Sequence, residues 1–209
     1  MFYENYLGID KLLENEVSVY VSEQRNKTLN KTVIYRLILT DYQEKRIISA
    51  SDKLEQKLLN RVIICTKGKT IAQTYDAMKD KEWGFRLSLM YRMFRDEDKA
   101  VELTNHEKVS ITYLSEYNKC LATIDGEPIG YCKISDVYDT YGNIVVWVDE
   151  SYRQQGIASC LLNDLLHQCK KEQIVPLYLV SNTNKASLSL ARKFGFTIKT
   201  EEIILCEEK

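Results

Sequence analysis

The sequence predicts an α/β fold of the mixed α+β kind, a mixed sheet covered by helices, with a smaller α/β unit ahead of it. Three observations lead there. The alternating runs of "CLATIDGEPIGYCKI" flank Asp125-Gly126, a dipeptide suited to a two-residue type I′ turn, so residues 120–134 read as a β-hairpin. A β-branched run over residues 143–148 gives way, through a short polar turn, to an amphipathic helix over residues 157–171. Then "VPLYLV" reads as a buried strand, residues 184–194 as a helix and residues 203–206 as a last strand.

The elements follow in order. Residues 17–21 and 32–39 read as strands, and 46–50 pairs with the latter through "TDYQEK". Residues 51–62 have helical spacing at Leu54, Leu58 and Leu59, and further helices are expected over 71–79 and 85–94. The charge cluster "RDEDK" at residues 95–99 marks the boundary, giving an N-terminal unit over 1–98 and a second domain over 99–209. In the second domain, residues 100–103 read as a strand, and "TNHE" at 104–107 reads as a capping box opening a helix to about residue 117. The strand at 143–148 is expected to be buried on both faces.

Composition excludes several function classes. Of 209 residues, 44% are apolar and 28% charged, as in ordinary globular proteins. The net charge of −1 provides no field for nucleic acid or an anionic membrane. No apolar run approaches the ~18 residues of a membrane span, and the N-terminus lacks the basic and apolar regions of an export signal. Six cysteines without C-x-x-C spacing read as buried, reduced thiols, which with the missing signal implies a cytoplasmic protein. His106 and His167 have no partners at metal spacing and read as solvated, so no metal site is expected. "IICTKGKT" imitates the end of a P-loop, but Ile63 stands where that loop needs its first glycine.

The stretch "VDESYRQQGIASCLL" carries the functional reading. A helix starting directly after a buried strand turns its unpaired N–H groups and positive dipole end outward, which makes an anion site. The donors here are the amides of Gln154, Gln155, Gly156, Ile157 and Ala158, with Arg153 able to add charge. Gly156 allows a backbone conformation and a close approach that a Cβ would resist. The same pattern also fits an ordinary strand–helix turn whose glycine only eases the chain.

Residues Arg153-Gln154-Gln155-Gly156-Ile157-Ala158 match Q/R-x-x-G-x-G/A, and "NTNKASLSLARKFGF" follows beyond the "PLYLV" strand. Over residues 99–209 the chain thereby resembles the GNAT superfamily of acetyl-CoA-dependent N-acyltransferases, and its spelling resembles a bacterial branch with a divergent N-terminal unit. The resemblance implies a GNAT-like mixed, mostly antiparallel sheet, and a pantetheine arm of acetyl-CoA lying beside the strand before the motif. Val146 and Val148 would then bond that arm, a strand amide near Trp147 or Val148 would face the thioester carbonyl, Asn184 and Ser187 would lie near the pantetheine, and Arg192 or Lys193 would lie near the CoA phosphates. Capping alone also explains much of the second motif, because Asn184 suits an N-cap and Gly195 a C′ position.

Two positions depart from the family pattern. The tyrosine that many members use as acid is Ala191 here, and the strand glutamate that many use as base falls at Gly142 or Asn143. No catalytic residue is assigned on sequence; Asp136, Asp139, Asp149 and Glu150 are nearby carboxylates without a readable role. The implied activity is acetyl transfer to a primary amine, of a small molecule or of a protein. The rival is a catalytically weak acyl-CoA-binding module for sensing or assembly. The N-terminal unit would shape the acceptor pocket or mediate a homodimer, and its residues do not choose between these.

Overall fold

The computed structural model describes residues 2–29, 32–96, 100–104 and 106–208. In chain order it contains α1 (Phe2–Leu7), β1 (Val17–Val21), β2 (Thr28–Leu29), β3 (Val33–Tyr42), β4 (Lys45–Ala50), α2 (Gln56–Thr66), α3 (Ile71–Met78), β5 (Arg86–Arg95) and β6 (Ser110–Leu114). It continues with β7 (Lys119–Ile124), β8 (Glu127–Tyr138), β9 (Tyr141–Val148), α4 (Ile157–Lys171), β10 (Val175–Ser181), α5 (Lys185–Lys193) and β11 (Phe196–Glu208). The chain separates into two compact units, one of Met1–Arg92, Val180–Thr183 and Ile198–Lys209, the other of Met93–Leu179 and Asn184–Thr197. Both are mixed α+β with mostly antiparallel pairing, as expected for the second.

In the first unit, β1 lies parallel to β4, β4 antiparallel to β3, and β3 antiparallel to β11. The β3–β4 turn places Gln43 and Glu44 both at positive φ, the geometry of a tight hairpin turn. Helix α3 opens with a capping box between Thr70 and Gln73. Leu59 and Val62 of α2 and Ile71 and Met78 of α3 pack with Leu37, Leu39, Ile48, Ile203 and Leu205 of the strands into one core. Beside the first helix, Arg92 and Glu202 form a buried bidentate pair at 2.6 and 3.1 Å, and Arg92 Nη2 also donates to the Tyr6 hydroxyl at 2.8 Å.

In the second unit the sheet runs β10-β9-β8-β7-β6. Asp125 and Gly126 sit at φ 50° and 85°, so the β7–β8 turn takes the form its sequence requires. Helix α4 covers one face of β7, β8 and β9. Its Leu161, Leu162, Leu165 and Cys169 are buried, as are Cys120, Cys132 and Ile144 of the strands.

Several expected elements differ. Residues 85–94 form strand β5, not a helix. Leu87, Leu89, Tyr91 and Met93 alternate as well as they satisfy helical spacing, and burial of Leu89 in the first core decides for the strand. Residues 100–103 belong to no ladder. The helix expected from 104 to 117 is a turn followed by β6, whose Ile111 and Tyr113 pair with Ala122 and Cys120 of β7. Of the supposed capping box, Asn105 lies outside the described residues, as do residues 97–99 of the charge cluster. Helix α2 begins at Gln56, later than expected. Strand β9 is buried on one face only, since Trp147 is 42% exposed.

Candidate functional site

The turn between β9 and α4 has the geometry of a donor cradle. Gly156 is the N-cap of α4 at φ 90°, and Gln154 is also left-handed at φ 61°. Glycine at an N-cap supplies no side chain to bond the first-turn amides. The first intrahelical bonds come from Ser159 and Cys160 to the Gly156 carbonyl, at 2.9 and 3.2 Å. The N–H groups of Ile157 and Ala158 precede them and point out along the helix axis. A Cβ on Gly156 would stand 2.8 Å from Thr104 Oγ1 and 3.2 Å from Thr104 Cβ, so crowding adds to the preference for glycine that its φ sets.

Two cationic or polar side chains border this cradle. Lys193 Nζ, at the end of α5, donates to Ser159 Oγ in the first turn of α4 at 3.3 Å, and to the Glu102 carbonyl at 3.5 Å. His106 Nε2 lies 3.6 Å from the Gly156 Cβ position, buried and without a hydrogen-bond partner among the described residues. His106 is therefore not the solvated side chain expected from sequence, because a site built from separate elements left no local signal. Arg153 folds back instead. Its Nε donates to the Val148 carbonyl at 3.0 Å, and Nη1 pairs with Glu150 at 3.1 Å.

Strand β9 leads into this turn with one edge open over half its length. The parallel ladder with β10 joins Tyr141, Gly142 and Asn143 to Val175, Pro176 and Leu177. The antiparallel ladder with β8 continues to Val148, opposite Gly130. The Asp149 N–H donates to the Ile129 carbonyl at 2.9 Å. Bonding alternates along such a pair, so Trp147, Val145 and Asn143 turn their backbone groups to β8. Ile144, Val146 and Val148 turn theirs the other way, beyond the last β10 pair. Trp147 therefore offers no amide on that side; Val146 and Val148 do.

The second helix places Asn184 at its N-cap, where Oδ1 accepts from Ser187 N–H at 3.1 Å, so these two residues bond each other. Ala191 is fully buried. A Cβ on Gly142 would stand 2.3 Å from Ile134 Cγ2, so no glutamate fits there. Asp149 caps the short turn after β9 by accepting from Ser151 N–H, and Asp136 accepts from Ser135 Oγ at 3.0 Å. A cavity of about 800 Å³ runs along the C-terminal half of α4, lined by Asn163, His167, Lys170 and Pro176 among others, and shares no residue with the cradle. Among the described residues there is no group of three or more His, Cys, Asp or Glu able to hold a metal, and no helix is long and apolar enough to cross a membrane.

The sequence model of the Acetyltransferase (GNAT) family matches residues 83–196, more than half of the chain. The chain belongs to the GNAT acetyltransferase family. One solved structure agrees in fold, and two others are similar at lower TM-scores. A GCN5-related N-acetyltransferase-like protein from Streptococcus suis 89/1591 matches with TM-score 0.51 and 16% identity, over 78% of this chain and 79% of that one. A GNAT-family protein from Novosphingobium aromaticivorans DSM 12444 matches with TM-score 0.46 and 13% identity, over 59% of this chain and 66% of its own. A GCN5-related N-acetyltransferase from Sphaerobacter thermophilus matches with TM-score 0.49 and 16% identity, over 66% and 56%. Among curated proteins, none matches this sequence. GNAT acetyltransferases generally use acetyl-CoA as co-substrate and act on amine acceptors.

Proposed function

We propose that the protein transfers an acetyl group from acetyl-CoA to a primary amine of a small molecule. The observation that carries this is the open edge of β9, running directly into the first turn of α4 with Lys193 upon it. In this reading the amides of Gln154 to Ala158 and Lys193 hold the pyrophosphate, with His106 beside them. Val146 and Val148 bond the pantetheine arm, and Asn184 and Ser187 lie at its far side. Arg153 occupies the Val148 carbonyl, so Val148 contributes its N–H alone. The family's bacterial branch with a divergent N-terminal unit, and a cytoplasmic location, belong to the same proposal.

The amine lone pair attacks the thioester carbon; a C–N bond forms, the C–S bond breaks, and the amine proton passes to the departing thiolate. An amide and free CoA result. A fixed N–H on the β9 edge stabilises the developing oxyanion, an effect worth about 3–4 kcal/mol for a single donor. The thiol is a good leaving group with an ordinary pKa of about 8.5, so the lack of a tyrosine acid at Ala191 does not bar the reaction.

A second reading, an acyl-CoA-binding module with weak catalysis, is favoured by Gly142, where Ile134 excludes a glutamate side chain. One experiment separates binding from catalysis. Calorimetric titration with acetyl-CoA should show micromolar binding, and Gln155→Glu should weaken it roughly tenfold through an anion facing the phosphates. The Gln155 side chain is exposed, its one bond among the described residues is to the Ser151 carbonyl at 3.2 Å, and the helix start tolerates an acid, so the variant should melt close to the wild type. Gly156 is a poorer probe, since at φ 90° any side chain also strains the turn. Unchanged affinity in Gln155→Glu would place the phosphates elsewhere. Steady release of CoA thiol with an amine panel supports the transferase, and release no faster than background hydrolysis supports the binding module.

A further inference from the structure

Strand β10 parts from β9 after Leu177, and the next residue is Tyr178. Its side chain is buried, with 2% exposed, and its ring meets Phe196 edge-on at 5.0 Å between centroids. Among the described residues the phenol oxygen has no hydrogen-bond partner. A buried hydroxyl without a partner costs folding free energy that phenylalanine, filling the same space, would not. Such a group marks a place where a partner arrives.

In register Tyr178 stands beside Ile144, one residue past the last pair between β10 and β9. Burial and then the nearby Cys132 thiol hold the phenol well above the ordinary tyrosine range. Cys132 pairs across the ladder with Val146, the residue whose backbone faces away from β8. By the alternation of the strands its side chain lies on the face that carries Ile144 and Val146, where β10 has already parted from β9. Held protonated there, the hydroxyl is a donor and not a base.

We propose that Tyr178 is a binding residue for the acyl-CoA arm, its hydroxyl donating a hydrogen bond to a carbonyl oxygen of the arm between β9 and β10. This rests on the acetyl-CoA reading above. It assigns the site a side-chain donor on a strand, in addition to the backbone donors of Val146 and Val148.

The test is Tyr178→Phe, which removes one oxygen and keeps the ring. Without ligand the variant should melt at the wild-type temperature or above it, because the hydroxyl is unpaired in the free protein. A lower melting temperature would mean the hydroxyl already has a partner, and would overturn the proposal. Affinity for acetyl-CoA should fall roughly fivefold to tenfold, the usual effect of one hydrogen bond. A similar loss for free CoA assigns the acceptor to a pantetheine amide, and a loss confined to acetyl-CoA assigns it to the thioester; both support the proposal. Wild-type affinity in the variant for both ligands sinks it while leaving the acetyl-CoA site standing. Absence of binding by the wild type removes both together.

Discussion

The two units bury different chemistry. The first encloses a full ion pair, Arg92 at 1% and Glu202 at 0% exposure, with Tyr6 as a third partner. Among the described residues of the second, the buried polar groups include Ser135, Ser159 and the Tyr178 hydroxyl, and no charged side chain is buried. Its interior is lined by thiols instead, Cys120, Cys132 and Cys169 lying buried in the layer between α4 and the strands. Burial works against the Arg92 charge, but Glu202 and Tyr6 more than offset it and hold its pKa above the ordinary range. A bidentate pair fixes geometry at high cost if either partner is lost. A neutral core sets no such demand, and the second unit leaves its donors on a strand edge and a helix start, where a ligand can meet them. Charge placement thus separates the unit locked by a buried ion pair from the unit whose donors lie at a strand edge and a helix start.

The largest expected effect breaks this comparison at the ion pair. Glu202→Gln leaves Arg92 buried without its counter-charge and should destabilise the protein by about 3–5 kcal/mol, read by denaturant unfolding. If Arg92 is also replaced by Met, part of that loss should return, since a neutral buried pair removes the stranded charge. A loss below about 1 kcal/mol in the single variant would show that the pair is solvated in solution.

A pH titration sharpens the contrast from the other side. Burial, and then Asp164, raise the Cys120 thiol from 9.0 to about 11; burial, and then Cys120, raise Cys169 to about 12. The unfolded chain releases these protons near the ordinary value while the folded protein retains them. Unfolded chains therefore bind fewer protons across this window, and stability falls as pH rises from about 9 toward 11. Unfolding free energies between pH 8 and 10.5 should show that decline, and Cys120→Ala should flatten it. An unchanged slope in the variant would assign the decline to other groups.

The smallest effect belongs to the exposed pair. Arg153 and Glu150 are about half and largely exposed, so Glu150→Gln should change stability by less than about 1 kcal/mol. Arg153→Met should do more than its charge implies, because it also frees the Val148 carbonyl at the end of the open edge. Comparing the two melting curves separates the exposed ion pair from the brace on the strand.

Much of the fold was legible because its signals are local. The type I′ dipeptide Asp125-Gly126, the stripe of Leu161, Leu162 and Leu165, and the Asn184 cap each declare an element within a few residues, and each was found where expected. Strand β5 was misread as a helix because Leu, Met and Arg suit both periods, and the choice fell to the partners it packs against. Strand β6 hid for the same reason behind an apparent capping box. At the candidate site, the glycine turn and the order of the two motifs were readable. The second motif pointed to Arg192 or Lys193, but the bond of Lys193 to Ser159 and the place of His106 beside Gly156 join separate segments, so no spacing announced those contacts.

What the sequence determined by itself is the family and the local geometry of the cradle, because a positive φ at Gly156 and a helix start at Ile157 follow from neighbouring residues alone. What only the tertiary structure decided is which backbone and side-chain groups are left over. The parting of β10 from β9 after Asn143 and Leu177 fixes the open edge, and the alternation set by β8 selects Val146 and Val148 over Trp147. Hydrogen-bond satisfaction depends on every neighbour at once, and that is the one property a linear pattern does not carry.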